Sequence, residues 1–274
     1  MSAMRTPGSG FYWEGTAGPP GRALHYVACG AGRPVVFLHG YTDSWFSFRL
    51  VLPTLAARAR CLAADQRGHG GSACEGDDFS VAALAADAAG FIDELRLGPV
   101  ALVGHSMGGV VARAVALSRP DLVDRLVLVA APLRTDTPTL RELKVEVDHF
   151  GSTVPRSFAE AFQAACVCDR GSVPGWFFDA CVDSSAGVAP RVWRAALAGL
   201  LAEDHTTRLG EITCPALVVG GREDGFVQPA EQAELARALP RGRLTLYDGV
   251  GHSPHWEQPE RFAADVAEFL AALA

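Results

Sequence analysis

Between residues 100 and 110 an apolar run gives way abruptly to small residues, and Ser106 stands at the centre of the frame Gly104-His105-Ser106-Met107-Gly108. A serine squeezed between a strand and a helix that turn this sharply takes up a strained backbone, and glycines two places to either side leave room for the neighbouring chain. The hydroxyl is then held clear of the sheet at a helix N-terminus, where the N–H of Met107 can donate to an oxyanion. That is how a nucleophile is presented. A serine hydroxyl attacks weakly at neutral pH, so it needs a base within hydrogen-bond reach and a carboxylate to orient the base. With 8 histidines and 31 acidic residues in the chain, composition alone does not select either partner.

The elements that must position these groups alternate along the chain. Short stretches rich in valine and leucine recur at 24 to 28, 35 to 39, 61 to 65, 100 to 104, 125 to 130, 216 to 221 and 243 to 249. They are apolar on both faces, the pattern of strands covered on both sides of a parallel sheet. Between them, residues 79 to 97 place Val81, Leu84, Ala88, Phe91 and Leu95 along one stripe, with Ser80 as N-cap. Residues 107 to 120 form a second helical pattern stopped by Pro120, and 259 to 273 a third opened by Pro259. Strand and helix in alternation predict an α/β, doubly wound, mostly parallel sheet, with ligands at the carboxyl ends of its strands.

From Leu133 to Arg208 the alternation stops. Alanine-rich helical pieces, several aromatics and prolines at 138, 155, 174 and 190 fill that stretch. Structureless connections of this length are rare, so a helical cap inserted between two strands is expected. The predicted organisation is a core in two parts, 1–132 and 209–274, around a cap at 133–208.

Composition narrows the function classes. At 49% hydrophobic and 20% charged, 274 residues can bury a sizeable core. Lysine and arginine total 24 against 31 acidic residues, 24 − 31 = −7, and the charges are scattered, without the basic stripe that a nucleic-acid partner requires. "MSAMRTPGSGF" has no apolar stretch of signal-peptide length and no later segment reaches membrane-spanning length, so a cytoplasmic protein without membrane contact is expected. Seven cysteines, Cys29, Cys61, Cys74, Cys166, Cys168, Cys181 and Cys214, read as reduced thiols mostly within apolar surroundings. Cys166 and Cys168 are too closely spaced for a metal knuckle, and "GAGRP" at 30 to 34 is a turn, not a phosphate cradle, so neither metal nor cofactor is expected.

The serine frame resembles the nucleophile elbow of the α/β-hydrolase superfamily, and the likeness extends across nearly the whole chain. His39-Gly40-Tyr41 is similar to that family's oxyanion loop, Asp65-Gln66-Arg67-Gly68-His69-Gly70 to its glycine-rich turn, and Gly251-His252 to its histidine loop. The resemblance implies the chain order serine, acid, histidine. Ser106 would then attack, His252 would accept its proton, and Asp224 in "GGREDGFV" would orient the imidazole and stabilise its charge. The N–H groups of Met107 and Tyr41 would hold the oxyanion, each contributing about 3 kcal/mol by analogy with measured donors. His255 competes with His252, and Glu223 and Asp248 with Asp224, but they lie off the matching positions. His39, Asp65, Arg67 and His69 read as structural, satisfying backbone groups beneath the site.

Serine at the elbow separates the chain from superfamily members with an aspartate nucleophile, such as haloalkane dehalogenases and epoxide hydrolases. The resemblance implies cleavage of an ester, thioester or lactone through an acyl-serine, and the aromatic residues of the 133–208 stretch, with Tyr41, Trp45 and Phe226, favour a small hydrophobic molecule. The same three groups also serve cofactor-free perhydrolases of the haloperoxidase type and carbon-carbon bond hydrolases. A binding protein that keeps the pocket without turnover is the alternative of another class. The expected pocket residues are Trp45, His105, Phe150, Trp176, Phe177, Trp193, Phe226 and His255.

Overall fold

A computed structural model describes residues 11–73 and 76–272. Its centre is an eight-stranded sheet: β1 (Trp13–Ala17), β2 (Leu24–Cys29), β3 (Pro34–Leu38), β4 (Arg60–Ala64), β5 (Val100–His105), β6 (Val123–Val129), β7 (Ala216–Gly221) and β8 (Gly242–Tyr247). The spatial order is β1-β2-β4-β3-β5-β6-β7-β8. β1 pairs antiparallel with β2 and β2 antiparallel with β4; the other five pairings are parallel. Each of the seven apolar stretches read from the sequence forms a strand. β1 is the addition: "WEGTA" is short, half-exposed and interrupted by Gly15, so it carries no clear period.

Among the described residues ten α-helices accompany the sheet: α1 (Leu52–Ala56), α2 (Val81–Glu94), α3 (Met107–Ser118), α4 (Pro138–Asp148), α5 (Arg156–Ala165), α6 (Gly175–Gly187), α7 (Pro190–Leu201), α8 (Pro229–Ala238), α9 (Pro254–Glu257) and α10 (Pro259–Ala271). Alternation of side chains along a strand divides the interior in two. On β3, Val36 and Leu38 join one core with α2, α3 and α8, whereas Val35 and Phe37 join a second core with α1 and α10. β5 divides in the same way, Val100 and Leu102 from Ala101 and Val103. This is a doubly wound sheet with helices on both faces. Ser80 caps α2 as expected, accepting from the Ala83 N–H at 3.2 Å.

Helices α4 to α7 lie between β6 and β7 and sit over one end of the sheet. α7 buries Val192, Trp193, Ala196, Leu197 and Leu200 in the first core. α6 forms a smaller cluster through Phe177, Phe178, Cys181 and Val182, which closes on Trp256 of α9. Cys29, Cys61, Cys166 and Cys181 are buried free thiols, Cys214 is half-buried and Cys168 exposed. Cys74 lies outside the described residues. Among the described residues no helix is long and apolar enough to cross a membrane.

Candidate active site

β5 delivers Ser106 directly onto the first turn of α3. Ser106 has φ +50° and ψ −118°, a conformation that non-glycine residues rarely adopt. The surrounding contacts leave no alternative. A Cβ on Gly104 would collide with the carbonyl of Gly108, and one on Gly108 with the carbonyl of Leu38, so the turn closes only with glycine at both places. The Ser106 N–H is anchored to Val129 O at 2.9 Å, which ties the turn to β6. The strain is therefore held by the sheet on one side and the helix on the other.

Three residues from three loops converge here. His252 Nε2 lies 2.9 Å from Ser106 Oγ, and His252 Nδ1 lies 3.0 and 2.9 Å from the two carboxylate oxygens of Asp224. The hydrogen-bond network assigns the proton on Nδ1 to Asp224, which leaves the Nε2 lone pair facing the serine hydroxyl. Asp224 is buried in the loop after β7, where its Oδ1 also accepts from the N–H groups of Phe226 and Val227 at 2.8 and 3.0 Å.

The loop carrying His252 is held by carboxylates. Glu223 Oε2 accepts from Val250 N at 3.0 Å, and Glu257 Oε1 accepts from Gly251 N at 2.7 Å. The other oxygen of Glu257 accepts from Cys168 N and Asp169 N at 2.8 and 3.0 Å, residues that follow α5. Burial raises the Glu257 carboxyl above its ordinary range. His105, next to the serine, donates from Nε2 to the main-chain carbonyl of His252 at 3.0 Å. Glu223 therefore grips the loop backbone, not the imidazole, and Asp248 pairs at the surface with Arg222 at 2.6 Å.

Tyr41 and Met107 both sit beside Ser106. Met107 opens α3, so its N–H belongs to the unpaired first turn of the helix. Tyr41 shares a cavity wall with Ser106, and its hydroxyl donates to Trp193 O at 2.6 Å, which fixes the ring against α7. The cavity beside Ser106 and His252 holds about 530 Å³ of empty space, counting its open mouth. Its wall is mainly apolar: Tyr41, Leu140, Leu143, Phe162, Leu200 and Phe226, with Cys166 and Val227. Arg134, Thr137 and Thr139 line the more exposed side.

Of the expected pocket aromatics, Phe226 lines this cavity, with its ring centroid 5.0 Å from that of His252. The others do not. Trp193 is fully buried in a knot with Tyr41, Phe150, Phe158 and Phe162, so it and Phe150 fasten α5 and α7 together. Phe177 stacks on Phe46 and meets Trp256 edge-on, while Trp176 is 58% exposed on the outer surface. Trp45 packs on Tyr12 and Phe46, away from the cavity. His105 and His255 lie buried behind His252; His255 Nε2 is 3.1 Å from Ser47 Oγ, and burial pushes its pKa down to about 3. The sequence reading missed Leu140, Leu143 and Leu200. The only signal for the first two was their i, i+3 spacing on one helix face.

The polar residues of the glycine-rich turn, with His39, bond backbone groups and side chains of neighbouring elements. His39 Nε2 accepts from Gln66 N at 2.9 Å, Asp65 accepts from Trp45 N and Gly71 N, and Arg67 makes a buried two-pronged contact with Asp87. His69 Nδ1 lies 2.8 Å from Arg67 O. These contacts brace the loops below the serine.

An elbow serine, a histidine and a carboxylate at the carboxyl ends of a doubly wound sheet define an α/β-hydrolase architecture. The chain belongs to the alpha/beta hydrolase family, whose model matches residues 35–265. A non-heme haloperoxidase from Rhodococcus erythropolis is 34% identical over 271 residues, covering 91% of this chain and 96% of its own. The 2-hydroxy-6-oxononadienedioate/2-hydroxy-6-oxononatrienedioate hydrolase 1 of Dechloromonas aromatica is 30% identical, covering 90% of each chain. The structure of a thermophilic esterase from Thermogutta terrifontis superposes with a TM-score of 0.83 at 27% identity, covering 94% of this chain and 98% of the other.

Proposed function

We propose that the protein is a serine hydrolase that opens a carboxylic ester or lactone of a small hydrophobic molecule through an acyl-Ser106 intermediate. The observation that carries this reading is the unbroken hydrogen-bonded series from Ser106 Oγ through His252 to Asp224 at the floor of an apolar cavity. Ser106 attacks the acyl carbon as His252 Nε2 takes its proton. Asp224 stabilises the resulting imidazolium and keeps the ring in register. The N–H groups of Met107 and Tyr41 receive the oxyanion. His252 then protonates the leaving alkoxide, and a water activated by the same imidazole releases the acid. The cap, residues 133 to 208, supplies Leu140, Leu143, Phe162 and Leu200 to the wall and thereby selects apolar substrates.

A second reading has a specific support: the similarity to the non-heme haloperoxidase. In it, hydrogen peroxide replaces water in attacking the acyl-serine and yields a peracid. Both share the acyl-enzyme. One preparation tested with a short p-nitrophenyl ester, a lactone and peracid formation from acetate and peroxide separates them. A fluorophosphonate should label Ser106, located by peptide mass spectrometry. A protein that consumes no ester or lactone, forms no peracid and leaves Ser106 unlabelled is a binding protein, and the hydrolase reading is then wrong.

A further inference from the structure

A second buried carboxyl stands behind the histidine loop. Asp43, 4% exposed, follows Tyr41 by two residues and, among the described residues, bonds no lysine or arginine. Its Oδ1 accepts from Gln163 Nε2 of α5 at 2.9 Å and its Oδ2 from Ser47 Oγ at 3.3 Å. Oδ2 is also 3.9 Å from His105 Nδ1, an atom with no hydrogen-bond partner of its own. The opposite nitrogen of the same ring, Nε2, donates to the His252 carbonyl. A series of contacts thus runs from α5, through Gln163 and Asp43, across 3.9 Å to His105, and from His105 by a hydrogen bond to the main chain of His252.

We propose that Asp43 and His105 are positioning residues for His252, in which the ionised Asp43 supports the imidazolium formed during turnover and Gln163 makes that support depend on the cap's being seated. The proposal rests on the reading of His252 as the base. The titratable groups around Asp43 are His105 from β5, His252 and His255 from the histidine loop and α9, Cys166 from α5 and Cys181 from α6. Burial pushes the Asp43 carboxyl up to about 6, while burial and the neighbouring imidazoles push His105 well below its ordinary range. Above about pH 6 the pair therefore carries the negative charge on Asp43, which among the described residues no guanidinium or ammonium pairs with. A charge in so dry a place acts strongly on an imidazolium forming nearby.

Asp43→Asn keeps the shape and the Gln163 contact and removes the charge. Ester hydrolysis by this variant should lose about tenfold in kcat at pH 8, with KM changed by less than about twofold, because the charge acts on the reacting state and not on substrate binding. The acidic limb of its kcat/KM profile should move to lower pH, since less negative charge disfavours the protonated base. Gln163→Leu, on the cap, should lower kcat severalfold in the wild-type background and have no further effect beside Asp43→Asn. Melting curves verify the fold of each variant, and should the Asp43→Asn protein not fold, Gln163→Leu with its own pH profile decides. A wild-type kcat with an unmoved acidic limb, or a Gln163→Leu loss that is purely in KM, overturns the proposal. So does a fall in kcat that leaves the limb unmoved and adds independently to that of Gln163→Leu. A wild-type protein inactive on every ester instead removes the hydrolase reading itself.

Discussion

Asp224 grips His252 with a carboxylate that is itself pinned by two backbone N–H groups, those of Phe226 and Val227. An amide at this place can donate where the imidazole N–H needs an acceptor, which favours the wrong tautomer. Asp224→Asn should therefore lower kcat for p-nitrophenyl butyrate by about 10³- to 10⁴-fold with a small change in KM. A loss below tenfold would remove Asp224 from the reaction.

The elbow makes a stability prediction. Gly108→Ala drives a methyl into the Leu38 carbonyl, and β3 and α3 cannot separate without opening the core. Urea unfolding should register a loss of about 3 kcal/mol or more, or the variant should fail to accumulate in soluble form. Gly151→Ala, where a Cβ meets nothing within 4 Å, is the matched control and should unfold at the wild-type midpoint.

Two tryptophans from the helices between β6 and β7 should behave oppositely. Trp193 is fully buried among four aromatic rings and donates from Nε1 to Ser185 O at 3.2 Å. Trp193→Ala should cost about 3–5 kcal/mol in thermal or urea unfolding. Trp176 stands 58% exposed, so Trp176→Ala should change stability by less than about 1 kcal/mol and leave kcat and KM within about twofold. A large kinetic effect of Trp176→Ala would mean that the substrate reaches the outer face of α6.

Acid should weaken the fold between about pH 6.5 and 4. Burial lowers His39 and His105, and pushes His69 and His255 to about 3 and His205 to about 4. Below pH 6.5 the unfolded chain protonates these rings and the folded chain does not, so unfolding takes up protons and stability falls as pH falls. His25 has the opposite sign. Its bond to Asp65 raises it, and its contribution is fully present below 6.5 and lost as pH rises through the folded value. Asp43, pushed up to about 6, and Glu257, also raised, act against them as well, because near pH 5 the folded chain holds protons there that the unfolded chain has lost, but the five lowered rings outnumber these groups. Urea midpoints measured from pH 8 to 5 should drop steadily, with about three or more protons taken up on unfolding near pH 5. Midpoints that stay flat over this range would contradict the buried neutral histidines.

Much of the architecture was legible in local sequence because its determinants are local. Runs such as 100 to 104 are apolar on both faces since β5 alternates between two cores, and the spacing of Gly104 and Gly108 about Ser106 follows from one tight turn. The pocket wall was not legible. Nothing in the types of Trp193 or Phe150 reveals that they pack on one another, whereas Leu140 and Leu143 reach the cavity through the orientation of α4. Asp43 is harder still. Nothing in "YTDSWF" marks it, and one of the residues that bond it, Gln163, lies 120 positions later.

The two oxygens of Glu257 serve two loops at once, one oxygen bound to Gly251 and the other to Cys168 and Asp169. The turn after α5 and the loop bearing His252 are thus moored to a single post. Opening the roof at that corner would unmoor the histidine as well. The exposed members of the cavity wall, Arg134 just before α4 and Thr139 on it, are not among the residues that Glu257 holds.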